Sequence, residues 1–396
     1  MRICHVITRL IVGGAQENTL LTCAGLAQHG HAVTLVSGPT HGPEGSLVGR
    51  ARGDQYEFVE LPALVRAVSP RRDLAAARAL RALFRERGFD VVHTHSSKAG
   101  ILGRLAAADA GTPAIVHTIH GMSFNRTQPR IVQAAFAELE RLCAARTDRI
   151  LCVADAMTAA ALDAGVGRPD QYETVYSGMQ IVEFDPRRHD RAAARARLGL
   201  PLDAVVVATV ARLFRNKGYE LLIPAMQRAA RREPRLRFVW IGDGADRPAY
   251  EAELARRGLR ERTTLTGLVA PEALPGLLAA ADLLAHASLW EGLPRAVVQA
   301  LLMEIPAVCF ALDGAPEVVR PGVTGELVAP ADVCGLADAI VSLADHPERR
   351  AQMGRAGRVL CAARFDWRAM VRQIEAVYER LLADASGASR LARGAT

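Results

Sequence analysis

Short apolar runs alternate with longer stretches of helical periodicity along this chain, and the whole pattern occurs twice in succession. No other feature narrows the fold as much. A run of about four to six apolar residues reads as a strand buried on both faces, the condition of a parallel sheet covered by its own crossover helices. In the first series Ile3 to Ile7, Ala32 to Ser37, Val91 to Thr94, Ala114 to Thr118 and Ile150 to Val153 read as strands. Helices over Ala15 to Gln28, Ala99 to Ala108 and about Pro129 to Ala145 separate them. After the charged segment Arg187 to Arg197 the rhythm restarts with Val205 to Val210. It continues through Phe238 to Ile241, Thr263 to Leu265, Leu283 to Ala285 and Ala307 to Phe310. The expectation is an α/β protein with two Rossmann-like domains, residues 1–180 and 181–364. Trp367, Met370, Val371, Ile374, Val377, Tyr378 and Leu381 recur at helical spacing, which makes 365–382 an amphipathic helix, and 383–396 reads as a flexible tail.

Bulk properties agree with two cores. The chain has 396 residues, 50% hydrophobic and 23% charged, enough apolar material for two domains. Its net charge of +7 suits an anionic small ligand or an anionic membrane face, and equally suits arginine used for solubility; nucleic acid is not an expected partner. Seven cysteines are scattered without a C-x-x-C pair, the usage of reduced core residues in a cytoplasmic protein. Arg9 interrupts the first apolar run where a secretory signal would need continuity, and Asp282 interrupts the longest apolar stretch, Leu277 to Ala287.

Residues fit for chemistry gather where strands end. Glu291 follows the strand Leu283 to Ala285, and Gly292-Leu293-Pro294 then force a turn that turns backbone N–H groups outward before a helix carrying Gln299. Arg212 and Lys217 follow the strand Val205 to Val210, at the carboxyl end where open α/β sheets bind ligands. Two cations there suit a diphosphate, the arginine by forked hydrogen bonds and the lysine as a mobile charge; a solvated basic loop is the plainer reading. Since no Asp-x-Asp pair occurs, no metal and no other cofactor is expected. Gly13-Gly14 closes the first strand's loop, where missing Cβ atoms let a ligand approach the amides or simply allow a tight turn. His93 and His95 share one face of a strand, a zinc-like pair that lacks a third ligand at recognisable spacing. His120, before Gly121, stands at a strand end where it could meet a sugar hydroxyl or serve as a buried structural histidine. Gly242-Asp243-Gly244 fails as a dinucleotide fingerprint, because Arg247 occupies the third glycine position.

In this order, Gly13-Gly14, His120-Gly121, Arg212 with Lys217-Gly218, Ile241 to Gly244, and Glu291 to Gln299 resemble the retaining glycosyltransferases of family 4. Gly314 to Val319 and Gly322 to Gly325 extend the likeness, which spans residues 1 to about 382. The resemblance implies the GT-B architecture, two Rossmann-like domains with parallel sheets facing across a cleft, the terminal helix returning to the first domain. It implies transfer of a sugar from a nucleoside diphosphate, UDP favoured, with retained configuration and without metal. Arg212 and Lys217 would grip the diphosphate, Glu291 with Gly292, Leu293 and Pro294 would hold the sugar, and His120 would stand beside the reacting carbon. The Gly13-Gly14 turn would close on the diphosphate or acceptor. Gln299 departs from the family, which usually has Glu there to accept from the ribose; an amide still accepts one hydroxyl. Segments His93 to Leu105 and His117 to Gly121 look similar to enzymes that build bacterial surface polysaccharides, so a lipid-linked or growing glycan is the preferred acceptor. A soluble acceptor, a UDP-sugar epimerase and a non-catalytic sugar-nucleotide binder are the alternatives. The helix Leu74 to Arg87 alternates arginines with Leu80, Leu83 and Phe84, as would a peripheral contact with an anionic membrane or an ordinary surface helix.

Overall fold

A computed structural model describes residues 1–53, 55–124 and 128–394, with side chains through Ser386. The chain divides into two compact units, Met1–Gly178 joined by Trp367–Thr396, and Met179–Asp366.

The first unit is built on a seven-stranded sheet of β1 (Arg2–Ile7), β2 (Ala32–Ser37), β3 (Glu57–Glu60), β4 (Val91–His95), β5 (Ala114–Ile119), β6 (Arg149–Cys152) and β7 (Tyr172–Thr174). Its order is β3-β2-β1-β4-β5-β6-β7 and every pairing is parallel. The chain order reverses beside β1, so the carboxyl ends of β1 and β4 form the switch point at which such sheets take ligands. One face packs on the helices Gly14–Gln28 and Trp367–Gly394 through Ile3, Ile7, Leu20, Val371 and Val377, and the other packs on Pro70–Arg87 and Ser97–Ala110 through Cys4, Val6, Leu80 and Phe84. Gly25 lets the first and last helices touch, since a Cβ there would lie 2.6 Å from Val371 Cγ2.

The second unit holds a six-stranded parallel sheet of β8 (Val205–Val210), β9 (Leu236–Ile241), β10 (Thr263–Leu265), β11 (Leu283–His286), β12 (Ala307–Phe310) and β13 (Gly325–Val328), in the order β10-β9-β8-β11-β12-β13. Here the order reverses between β8 and β11. Trp240, Tyr219 and Tyr250 anchor the larger core, with ring centroids 4.7 to 6.5 Å apart.

Helix Trp367–Gly394 continues beyond 382, where the sequence suggested a tail, because its Ala, Leu and Arg residues have high helix propensity; Ala395 and Thr396 lie outside the described residues. Helix Pro70–Arg87 turns Ala76, Leu80 and Phe84 inward and leaves Leu74, Arg78 and Arg85 exposed, the arrangement of a surface helix. No helix among the described residues is long and apolar enough to cross a membrane.

Candidate functional site

In the second unit, the loop after β8 is pressed against its neighbours backbone to backbone. Gly218 ends the short turn Arg215–Lys217 at φ 73°, and a Cβ there would lie 1.9 Å from the Ala287 carbonyl oxygen. Gly242, at φ 141°, would likewise place a Cβ 2.2 Å from the Ala211 carbonyl oxygen. Both positions therefore require glycine. The Leu289 N–H donates to the Asn216 carbonyl at 3.0 Å, which ties the β8 loop to the β11 loop.

That seam brings together the two residues on which the sequence reading leaned most. Lys217 Nζ donates to Glu291 Oε1 at 2.5 Å, both side chains being largely buried. His286, the last residue of β11, places Nε2 3.3 Å from the same oxygen, and this nitrogen is buried without a hydrogen bond of good geometry. The Glu291 N–H donates to Asp313 Oδ2 at 2.8 Å, and Asp313 holds the unusual φ of 50°. Burial pushes the Glu291 carboxyl up, but the Lys217 charge and the His286 contact outweigh it and hold the group well below the usual carboxylate range. Glu291 is thus a largely buried acceptor held in its ionised form by Lys217.

Arg212 lies exposed on the same loop, its guanidinium 5.1 Å from the centre of the Phe214 ring. Gly292, Leu293 and Pro294 are buried, so the turn offers backbone rather than side chains; the Gly314 N–H donates to the Gly292 carbonyl at 3.1 Å. Gln299 sits in the helix Arg295–Leu302 and is buried. Asp243 is paired with Arg247 Nη1 at 3.0 Å. Sequence reasoning missed His286 and Asp313. The signal for the first was a histidine ending an otherwise apolar strand; the second had none, because its partner is a backbone N–H 22 residues away.

In the first unit, Gly13 is extended and Gly14 opens the first helix, with the preceding loop held by Arg9 Nη1 to Glu44 Oε2 at 2.9 Å. His120 follows β5, half-buried. Beneath it runs a file of polar side chains inside an apolar layer. His5 on β1 stands opposite His93 on β4, and His95 is two residues further along the same face. His5 Nδ1 lies 2.9 Å from His95 Nε2, and His95 Nδ1 lies 3.0 Å from His120 Nε2. His93 meets the Tyr378 hydroxyl at 2.5 Å through Nδ1 and Thr118 Oγ1 at 2.6 Å through Nε2. The Tyr378 hydroxyl reaches His5 Nε2 at 3.5 Å. The nitrogens of His5, His93 and His95 lie within 4.8 Å of one another, as zinc would require, yet both His93 nitrogens already have oxygen partners. Burial first, and neighbouring imidazoles after it, hold His93 and His95 far below the ordinary histidine value; burial alone lowers His5 to about 3. All three rings are neutral. His117 faces the opposite side of β5 and bonds Thr94 Oγ1 at 2.9 Å. His5 and Tyr378 were overlooked as chemistry because each interrupts an apolar pattern only once.

The family model for glycosyl transferases group 1 matches residues 190–360, and that for Glycosyltransferase Family 4 matches residues 12–181. The chain is 28% identical over 298 residues to the UDP-Gal:alpha-D-GlcNAc-diphosphoundecaprenol alpha-1,3-galactosyltransferase of Escherichia coli, covering 74% of this chain and 76% of that one. It is 32% identical over 318 residues to the D-inositol 3-phosphate glycosyltransferase of Kribbella flavida, covering 74% and 72% respectively. Among solved structures, HepE of Anabaena in complex with UDP and glucose superposes with a TM-score of 0.82 at 22% identity, over 96% of this chain and 99% of the other. With both domain models matched in order and two parallel Rossmann-like sheets in place, the chain belongs to the family 4 glycosyltransferases of GT-B fold.

Proposed function

We propose that this glycosyltransferase moves a hexose from a nucleoside diphosphate sugar, a UDP-sugar first among candidates, to a lipid-linked or growing cell-surface glycan, with retained anomeric configuration and without a metal ion. The observation that carries the reading is the Lys217–Glu291–His286 constellation at the carboxyl ends of β8 and β11. Lys217 and Arg212 neutralise the departing diphosphate, work otherwise given to a divalent cation. Glu291, kept ionised by its neighbours, accepts hydrogen bonds from sugar hydroxyls. Gln299 takes a ribose hydroxyl, and the amides of the Gly292-Leu293-Pro294 turn assist at the sugar. His120 acts beside the reacting carbon, the Gly13-Gly14 turn at the diphosphate or acceptor. The acceptor attacks from the face that the diphosphate leaves, so the two share a side and configuration is kept.

The Escherichia coli relative, named for UDP-Gal and a diphosphoundecaprenol-linked sugar, supports the donor and the lipid-linked acceptor. The Kribbella relative, named for D-inositol 3-phosphate, supports a second reading in which the acceptor is a small soluble polyol phosphate. A cytoplasmic place at the membrane's inner face follows from the first reading and not from the second. A panel of UDP-, GDP- and ADP-sugars with both acceptor types, in chelator, tests the proposal by nucleotide release and product mass. A UDP-sugar with a glycosylated lipid is the expected pair. Binding without transfer, or an epimerised donor with no glycoside, refutes it.

A further inference from the structure

Two donors converge on one oxygen where the β8 and β11 loops meet. Lys217 Nζ bonds Glu291 Oε1 at 2.5 Å, while His286 Nε2 stands 3.3 Å from the same atom and out of line with it. Oε2 has no protein donor among the described residues and is not among the fully buried atoms. An ionised carboxylate only accepts, so Nε2 carries a proton toward it whether the ring is neutral or charged. His286 is 6% exposed, and among the described residues that N–H has no other acceptor. A buried donor left unmet is costly, and a native structure keeps one only for a reason. The two donors also differ in freedom. Lys217 carries three N–H groups on a flexible stem, whereas His286 hangs from β11, a central strand paired on both sides by β8 and β12. Lys217 can therefore leave Oε1, and His286 stands ready to close on it.

We propose that His286 is a positioning residue that takes over Glu291 Oε1 when Lys217 turns to the departing diphosphate, so that the carboxylate keeps its orientation and leaves Oε2 to a sugar hydroxyl. The effect on turnover rests on the reading of Lys217 and Glu291 given above. The exchange of donors does not, because deleting the ammonium group vacates Oε1 in the same way. Closing the gap from 3.3 Å to about 2.8 Å, the length of a charge-assisted bond, needs only a small turn of the Glu291 side chain.

The test begins with crystal structures of the full-length wild type and of Lys217→Met. In the variant His286 Nε2 is expected about 2.8 Å from Glu291 Oε1 and in line with it. A gap that stays at 3.3 Å or widens overturns the exchange, as does an ordered water or another acceptor on Nε2 in the wild-type crystal. Kinetics then separate positioning from packing. His286→Leu loses the unmet donor with the ring, so its stability to urea should be no lower than wild type while kcat falls about tenfold and the donor KM stays within about twofold. In His286→Gln an amide N–H reaches nearly the place of Nε2 and should restore most of kcat. Lower stability of His286→Leu with wild-type kcat marks a merely structural histidine and overturns the proposal. Should His286→Leu not fold, the Lys217→Met crystal decides alone. Wild-type turnover in Glu291→Gln would remove Glu291 from transfer, a failure of the functional reading that is distinct from failure of the exchange, which is read in the Nε2–Oε1 distance.

Discussion

Acidification from about pH 7 to about pH 5.5 should destabilise the unit built on the N-terminal sheet far more than a protein of ordinary histidine content. His5, His93, His95 and His117 are buried and neutral, each held below the ordinary value of 6.5 chiefly by burial. In the unfolded chain they titrate normally. The unfolded state therefore binds more protons below about pH 6.5, and stability that is complete above that value is lost as pH falls toward the depressed native values. Between the two pH values each histidine costs on the order of 1 kcal/mol, and the four together on the order of 5 kcal/mol, comparable to the whole stability of a modest domain. Carboxylates held low by ion pairs, such as Glu233 beside Arg235, contribute only at more acid pH, so the window isolates the histidines. Urea titration with pulse proteolysis measures the effect, because fragment masses separate the two units. His117→Asn should reduce the pH slope by about a quarter. A stability change below about 1 kcal/mol over the window would refute the argument, since it would mean that the native rings take up protons.

Three further outcomes concern the second unit. Lys217→Ala should lower kcat/KM by about 10²-fold or more, through loss of charge at the departing diphosphate; unchanged turnover excludes Lys217 from that role. Glu291→Gln releases Lys217 from its carboxylate partner, so free UDP should bind several-fold more tightly by calorimetry while transfer falls by about 10²-fold. Weaker UDP binding would show that Lys217 does not reach the diphosphate. Gln299→Glu should strengthen the ribose contact by about 1 kcal/mol and lower the donor KM about fivefold; an unchanged KM removes Gln299 from the donor site.

How far the fold was legible depended on where a strand lies in its sheet. Central strands such as Val205–Val210 and Ala114–Ile119 are buried on both faces and announce themselves as apolar runs. Three edge strands, Glu57–Glu60, Tyr172–Thr174 and Gly325–Val328, went unread. Each is short and polar on its outer side, as edges are when they resist pairing with another chain, and so resembles a loop. The final helix was legible because Met370, Val371, Ile374, Val377 and Tyr378 all face the core of the first unit at helical spacing.

The two halves of the candidate chemistry differed in legibility for a physical reason. Lys217 and Glu291 are charged, and a charge near an apolar strand end stands out because burying it without a partner is expensive. Their meeting, though, depends on Gly218 and the Leu289–Asn216 bond, which join segments about 70 residues apart and leave only a glycine in the sequence. The histidine file lies further still from local pattern. His5 and Tyr378 are 373 residues apart, and each occupies a position that a purely apolar side chain would fill. A buried polar atom is tolerated only if another meets it, so one histidine inside a strand predicts a partner without naming it. In the folded unit those partners are one another. A one-residue shift of β1 against β4 would turn His5 to the opposite face and break the series.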